Sequence, residues 1–565
     1  MKSKTKRVLS LLLASIMTLS AAACSSDTNN SDSNNQTDGS AADTSKAESS
    51  QADSSQSTTS GGFTDYSAGF PDGTTIRIPT YDRGWDGWNP TDNYYVNWIK
   101  SEVKEKYNIN VEYVSINRTN EVQDYMQLIA AGTAPDIIMH YDMPQAVNYY
   151  GEGAIQNVNY DEVAFYAPDY WAKLQDTIET YGKLDGNNAF IFAQRDAIYY
   201  QWVGLIRQDW LDRVGMDVPT TYEENLAVLE AWKEAGLGTA GSSLVQNAFT
   251  FYYGWIDPST PKEELALYLD LNVSPMTWEP VERWLRDQND LYNKGYIDPD
   301  FYLRTDDAAI KAEFMAGRTG TYGFYLASNT DVFSTFAANN PDGKLAISKA
   351  TPAEGYVPYY YENPPYGMIM GINEKTGDVE RAAVYTFLNW MIQPENLFYL
   401  QHGPEGKTHT MNGTVAVHTT DYTGEERLSN NDNKDIWCLV AEVVSYGDEQ
   451  TNLEANKTSL APSDTAGVAP NGTDLVQEAY DNWKANEQNG LISPIFTKVI
   501  SSSQEYSADL KELWKTAYVD IVTSSPDQFD AKYEKYCQEY LDAGFQEILD
   551  EKQALIDEGS VLYVE

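Results

Sequence analysis

A chain of 565 residues has room for two domains or one two-lobed body, and its 42% apolar content can supply real cores. Acidic residues outnumber basic ones 84 to 39, giving a formal net charge of −45. Such a surface repels phosphate backbones and anionic headgroups, which argues against nucleic-acid binding and against membrane binding by charge.

In chain order, Lys2, Lys4, Lys6 and Arg7 precede an apolar run, Val8–Leu19. The run is too short for a bilayer span, which needs about 20 residues. With the small residues Ala21–Ala23 it reads as a secretory signal covering residues 1–23. Cys24 and Ser25-Ser26 follow and resemble a bacterial lipobox, with Ala21 where the common pattern has Leu. That resemblance implies lipidation of Cys24, a palmitate-type acyl anchor at the mature N-terminus. Residues 24–62 are almost wholly Ser, Asp, Asn, Gln, Thr, Ala and Gly, too polar to offset the entropy of ordering, and read as a disordered tether. No second apolar run reaches membrane-span length. Cys438 and Cys537 are expected as free thiols, although the compartment permits a disulfide.

Thr74–Tyr81 alternates like a half-buried strand, Tyr94–Tyr107 reads as a helix, and Asn108–Ile116 alternates again. Val122, Tyr125, Met126 and Ile129 form the apolar face of a helix ending near Gly132, and Ile137–Met139 is a short buried strand. Strand alternating with helix predicts an α/β lobe with parallel strands. Farther on, Thr221 and Glu224 form a capping box for a helix faced by Tyr222, Leu226, Leu229 and Trp232. Val281, Trp284, Leu285, Gln288 and Tyr292 make another helical stripe, closed by Gly295. Arg381–Gln393 and Asp530–Glu558 are helical, the latter broken near Gly544.

Five phrases in order carry a family resemblance: IAAGTAPDII (Ile129–Ile138), LIRQDWLDRVGMDVPTTYEE (Leu205–Glu224), LYNKGYIDPDF (Leu291–Phe301), EFMAGRTGTYG (Glu313–Gly323) and QHGPEGK (Gln401–Lys407). The chain resembles family 1 extracellular solute-binding lipoproteins, the substrate-binding components of carbohydrate ABC importers, aldouronate and oligosaccharide types included. The resemblance implies a two-lobed, type II periplasmic-binding-protein-like α/β fold whose lobes are joined by multiple hinge crossings. These fall near Ala193–Tyr199, Pro358–Met370 and Thr414–His418. Lobe 1 is then 63–194 plus 370–415, and lobe 2 is 197–357 plus 418–565. It also implies an oligosaccharide ligand, ABC permease partners, a monomer, and a lipid-anchored place on the extracellular face of a Gram-positive membrane. A carbohydrate sensor or adhesin of the same fold, or a peptide or amino-sugar importer component, are the alternatives. Asp209 and Trp210 are read as scaffold.

Sugars need aromatic platforms and planar polar groups, and the chain has 41 Tyr and 14 Trp against 17 Phe. Trp85 and Trp88, with Asp86, sit in a Gly-rich loop after the first strand. His140, Tyr141 and Asp142 follow the third strand, where the resemblance places ligand contacts. Arg195 and Asp196 sit at the first crossing, with Tyr200 and Trp202 next. Tyr253 and Trp255 belong to an aromatic loop, Tyr322 and Tyr325 end a strand, and Tyr360 and Tyr366 lie at the second crossing. No zinc-protease, nucleophile-elbow or P-loop motif is present, so the chain reads as a binder and not an enzyme. LDGNN (Leu184–Asn188) and NNDNKD (Asn430–Asp435) raise the question of calcium, but neither fits an EF-hand loop and both read as turns. No cofactor is expected.

Overall fold

The computed structural model describes residues 59–60, 62–196, 202–241, 252–269, 273–304, 307–326, 330–419, 422–460 and 472–564. The signal, Cys24 and nearly all of the tether lie outside these residues. The elements that build the molecule begin with β1 (Thr75–Asp82), α1 (Tyr94–Tyr107), β2 (Asn110–Asn117), α2 (Glu121–Ala131), β3 (Ile137–His140), α3 (Met143–Gly151) and β4 (Ile191–Gln194). They continue with β5 (Trp202–Arg207), α4 (Tyr222–Glu234), α5 (Glu279–Lys294), β6 (Thr321–Tyr325) and β7 (Leu345–Ser348). Last come β8 (Tyr366–Asn373), α6 (Asp378–Met391), α7 (Pro394–His402), β9 (His409–Asn412), β10 (Val415–His418) and the helices α8 (Ser501–Val522), α9 (Phe529–Tyr540) and α10 (Gln546–Asp557).

Local chemistry sets the boundaries. Asn93 caps α1 by accepting from the Val96 N–H, and Asn108 ends it in the left-handed region at φ 60°. The capping box of Thr221 and Glu224 forms at the start of α4. Between α9 and α10 the chain kinks at Gly544, φ 113°, where a Cβ would meet the Tyr506 ring. One expectation fails on α2. Met126 is 52% exposed, while Glu121 and Tyr125 are the residues that face inward.

β1 and β2 pair in parallel along their whole length. Asp136, just before β3, ties that strand to β1: its N–H donates to the Arg77 carbonyl and its carboxylate accepts from the Arg77 N–H and the Thr376 hydroxyl. Apart from a two-residue parallel pairing of Tyr360–Tyr361 with Gly490–Leu491, the expectation of parallel strands goes no further among the described strands. β8 arrives from the other half of the molecule and runs antiparallel to both β3 and β4. The second sheet, in the order β6-β5-β7, is antiparallel throughout.

Three apolar clusters result. The first joins residues of 70–193 with residues of 366–400 and 436–441. The second joins residues of 206–301 with those of the C-terminal helices, and the third surrounds β6 and β7. The segment Ile436–Ala441, expected within an uninterrupted second lobe, packs with the first core because Thr80 of β1 donates to the carbonyl of Asp435. Cys438 is buried in that core and Cys537 is packed against the second; both are free. Asp209 and Trp210 are scaffold: Arg207 donates to the Asp209 carboxylate and lies over the Trp210 ring. No helix among the described residues is long and apolar enough to cross a membrane.

In α5, burial pushes the Asp287 carboxyl up to about 6, although Tyr222 donates a hydrogen bond to it. A raised carboxyl contributes its stability fully below its unfolded pKa and loses it as pH rises through 6. Asp287→Asn is therefore expected to be more stable than the parent at neutral pH, by on the order of 2 kcal/mol, with the gap closing toward pH ~4. Urea unfolding of both chains across that range checks it.

Candidate functional site

The principal cavity among the described residues encloses about 1430 Å³. It opens at the C-terminal ends of β1, β2 and β3, where Arg83, Arg118 and Tyr141 each follow the last strand residue. Ligands of open α/β sheets bind at such strand ends. The opposite wall brings Gly204 of β5, the residues after β7, and Asn482 and Trp483 of the helix Gly472–Asn486. A third wall is formed by Tyr360, Tyr361 and Tyr366, by His402 and His418, and by residues between Asn431 and Tyr446.

Tyr141 is the centre of the first wall. Its ring stacks on Tyr81 at 6.1 Å, and Arg118 and Lys434 lie over it at 5.4 and 5.7 Å. Its hydroxyl is buried and has no hydrogen-bond partner among the described residues. Burial, and then the Glu442 charge, hold that phenol well above its ordinary pKa, so it stays protonated. The cations around it are fixed from behind. Arg83 makes a bidentate pair with Asp435, both bonds 2.8 Å. Arg118 donates to Glu121 at 2.6 Å. Lys434 donates to Glu442 Oε1 at 2.7 Å, and Arg195 reaches the same oxygen only at 3.6 Å. Glu442 Oε2 is buried without a partner among the described residues.

Behind Tyr141, His140 faces inward. Its Nδ1 accepts from the Asp142 N–H at 2.9 Å and its Nε2 lies 2.5 Å from Glu121 Oε1, which places the ring proton on Nε2. Burial opposes the Glu121 charge, but His140 and Arg118 hold its carboxyl below the usual range. Farther along the cavity wall, His402 Nδ1 and His418 Nε2 are 2.9 Å apart, and burial with the neighbouring His418 and His409 pushes His402 down to about 3.

Residues 98–400 match the family model described as bacterial extracellular solute-binding protein. The chain belongs to that family. Solved structures are similar over nearly their whole length. An alginate-binding protein solved without calcium ion is 17% identical, with a TM-score of 0.59, over 86% of this chain and 98% of that one. A Streptococcus pneumoniae ABC-transporter substrate-binding protein in complex with kestose is 14% identical, with a TM-score of 0.59, over 86% and 99%. An extracellular solute-binding protein of Bifidobacterium longum subsp. infantis is 15% identical, with a TM-score of 0.59, over 86% and 98%. At these identities the likeness is one of fold, the two-lobed α/β solute-binding fold. No curated protein sequence is significantly similar to it.

In this solute-binding protein the cavity gathers Tyr141, Asp142, Arg195, Asp196, Tyr360 and Tyr366 from the sequence-predicted residues. Asp142 stands at the N-cap position of α3 without a side-chain capping bond, Asp196 accepts from the Ser445 hydroxyl, and Tyr366 lies buried on the floor against Phe192. The others lie elsewhere. His140 is turned inward by strand alternation. Trp85 sits beside Arg83, Asp86 is exposed, and Trp88 packs on the first core and lines a separate shallow groove. Tyr253 is 2% exposed inside the second core, Trp255 packs edge-on to Tyr222 and Tyr356, and Tyr322 stacks on Phe314. Tyr200 and the side chains of Trp202 and Tyr325 fall outside the described residues. The two calcium candidates are turns. Asp185 and Gly186 form the tip of a hairpin in left-handed conformation, and Asn433 hydrogen-bonds the Ser429 and Leu400 backbone.

Sequence reasoning missed Arg83, Arg118, Lys434, Trp437 and Glu442. Arg83 and Arg118 carried a legible signal, a cation directly after a strand in an acidic chain. The last three are brought in by long-range packing. Glu442 compensates two partly buried cations, so Glu442→Gln is expected to cost about 3 kcal/mol in urea unfolding. The double variant Glu442→Gln/Lys434→Met is expected to recover part of that loss.

Proposed function

We propose that this protein captures an oligosaccharide in the cavity between its cores and hands it to the membrane subunits of an ABC importer, held to the extracellular face of the membrane through Cys24. The observation that carries the reading is the cavity. Its 1430 Å³ exceeds the ~300–1,000 Å³ of sites for drug-sized ligands. Its walls combine tyrosine side chains (Tyr360, Tyr361) with forked polar groups (Arg195, Asn482, Glu442), the combination that sugars require. The named ligands of two fold neighbours, alginate and kestose, are saccharides. A ligand touching both walls favours the closed arrangement by its differential affinity. The reading calls for no cofactor and no catalysis.

Calorimetry of the compact unit, residues 58–565, against a panel of plant and host oligosaccharides tests it. Binding in the micromolar range with the sugar recovered intact is expected; hydrolysis at ordinary turnover overturns the reading. Tyr141→Phe separates binding from folding. Removing a buried hydroxyl with no partner is expected to leave stability unchanged or raise it by up to ~1 kcal/mol, while ligand affinity falls roughly tenfold.

A further inference from the structure

The charges of the cavity run against those of the chain. Acidic residues outnumber basic ones more than two to one overall. The cavity lining holds seven Lys and Arg residues against four Asp and Glu. Three of those four acids, Asp142, Asp196 and Asp432, are exposed, where water and salt screen them. The partners of Arg83 and Arg118, Asp435 and Glu121, do not line the cavity at all. The carboxylates therefore stand behind the cations and hold them toward the open space.

One of these cations still has its donors available. The Arg195 side chain is 15% exposed, lines the cavity and donates no hydrogen bond among the described residues. Its nearest acid oxygen, Glu442 Oε1, is 3.6 Å away and already accepts from Lys434 at 2.7 Å. A guanidinium in this state presents a planar fork that matches a carboxylate in bidentate geometry. Lys434 stands beside it as a second positive charge. Glu442 Oε2 and the Tyr141 hydroxyl, on two other residues that line the same cavity, are buried and without partners among the described residues. They suit the hydroxyls of a sugar ring, one as an acceptor and one as donor or acceptor. The nearby Glu442 charge disfavours a doubly charged phosphate at the same place.

We infer that the ligand is an acidic oligosaccharide, with a sugar-ring carboxylate seated on Arg195 and Lys434 and its neighbouring hydroxyls on Glu442 and Tyr141. The inference rests on the oligosaccharide reading above and narrows it to a charge class.

Calorimetry with short oligomers of glucuronate, galacturonate and mannuronate, each beside its carboxyl-reduced derivative, isolates the charge while the ring and linkage stay the same. At least one acidic oligomer is expected to bind roughly 10- to 100-fold tighter than its reduced form, with a preference that shrinks as salt is added. In Arg195→Gln the preference is expected to fall close to one, because affinity for the acidic oligomer falls much more than affinity for the reduced one, and the melting temperature is expected to hold. Arg195→Lys, which keeps the charge and loses the fork, is expected to fall between. Reduced oligomers that bind as tightly as acidic ones, a preference unmoved in Arg195→Gln, or tighter binding of sulfated than of carboxylated oligomers each overturn the inference and leave the oligosaccharide reading standing. Failure of every saccharide, acidic or neutral, to bind overturns both.

Discussion

β8 is the strand on which the cavity depends. All eight of its residues are buried, so each backbone group must find a partner inside the protein. It finds them by running between β3 and β4, antiparallel to both. Two glycines make that insertion possible. A Cβ at Gly371 would lie 2.4 Å from Ile155, and one at Gly367 would lie 2.6 Å from the Cβ of Glu442. The second approach also sets the site. It lets Glu442 come up against the strand, where its N–H donates to the carbonyl of Gln194, and so places its carboxylate between Lys434 and Arg195. At the start of the same strand Tyr366 forms the cavity floor.

A second constraint follows from keeping cations in a half-buried cleft. A buried charge without a partner costs several kcal/mol, and an exposed pair contributes little. The protein uses neither extreme. Asp435 and Glu121 sit behind Arg83 and Arg118, and Glu442 pairs with Lys434 in the cavity wall itself, so the cations are oriented before any ligand arrives. Preorganised donors lose little side-chain entropy on binding. The cost is met within the fold, because Asp435 is itself tied to β1 through Thr80 and Glu121 is braced by His140.

What could be read from the sequence divides along the same line. Local signals held: the capping box of α4, the break at Gly544 and the strand ends that present Tyr141 and Arg195 were visible because each depends on a few adjacent residues. Aromatic content was a poor guide to the site. In a chain with 41 tyrosines most of them fill cores, as Tyr253 and Tyr322 do. Met126 fails for a related reason. Helical period identifies a face, but the tertiary pairing of Glu121 with His140 and Arg118 decides which face turns inward. Glu442 and Lys434 lie far in sequence from the strands they serve, and only packing joins them.

The same separation explains why the site carries unsatisfied groups. Folded chains pair nearly all of their buried polar atoms, and each exception lowers stability. Here the Tyr141 hydroxyl and Glu442 Oε2 remain unpaired among the described residues, as do core hydroxyls such as those of Tyr113 and Tyr385, but these two belong to residues that line the cavity with Arg195. A fold selected for stability alone would close such a gap with apolar side chains of the same volume. Keeping it open means that a ligand with matching hydroxyls and charge recovers hydrogen bonds that the empty protein lacks. A ligand without them leaves the buried groups unpaired, and that difference is a source of specificity independent of the area buried.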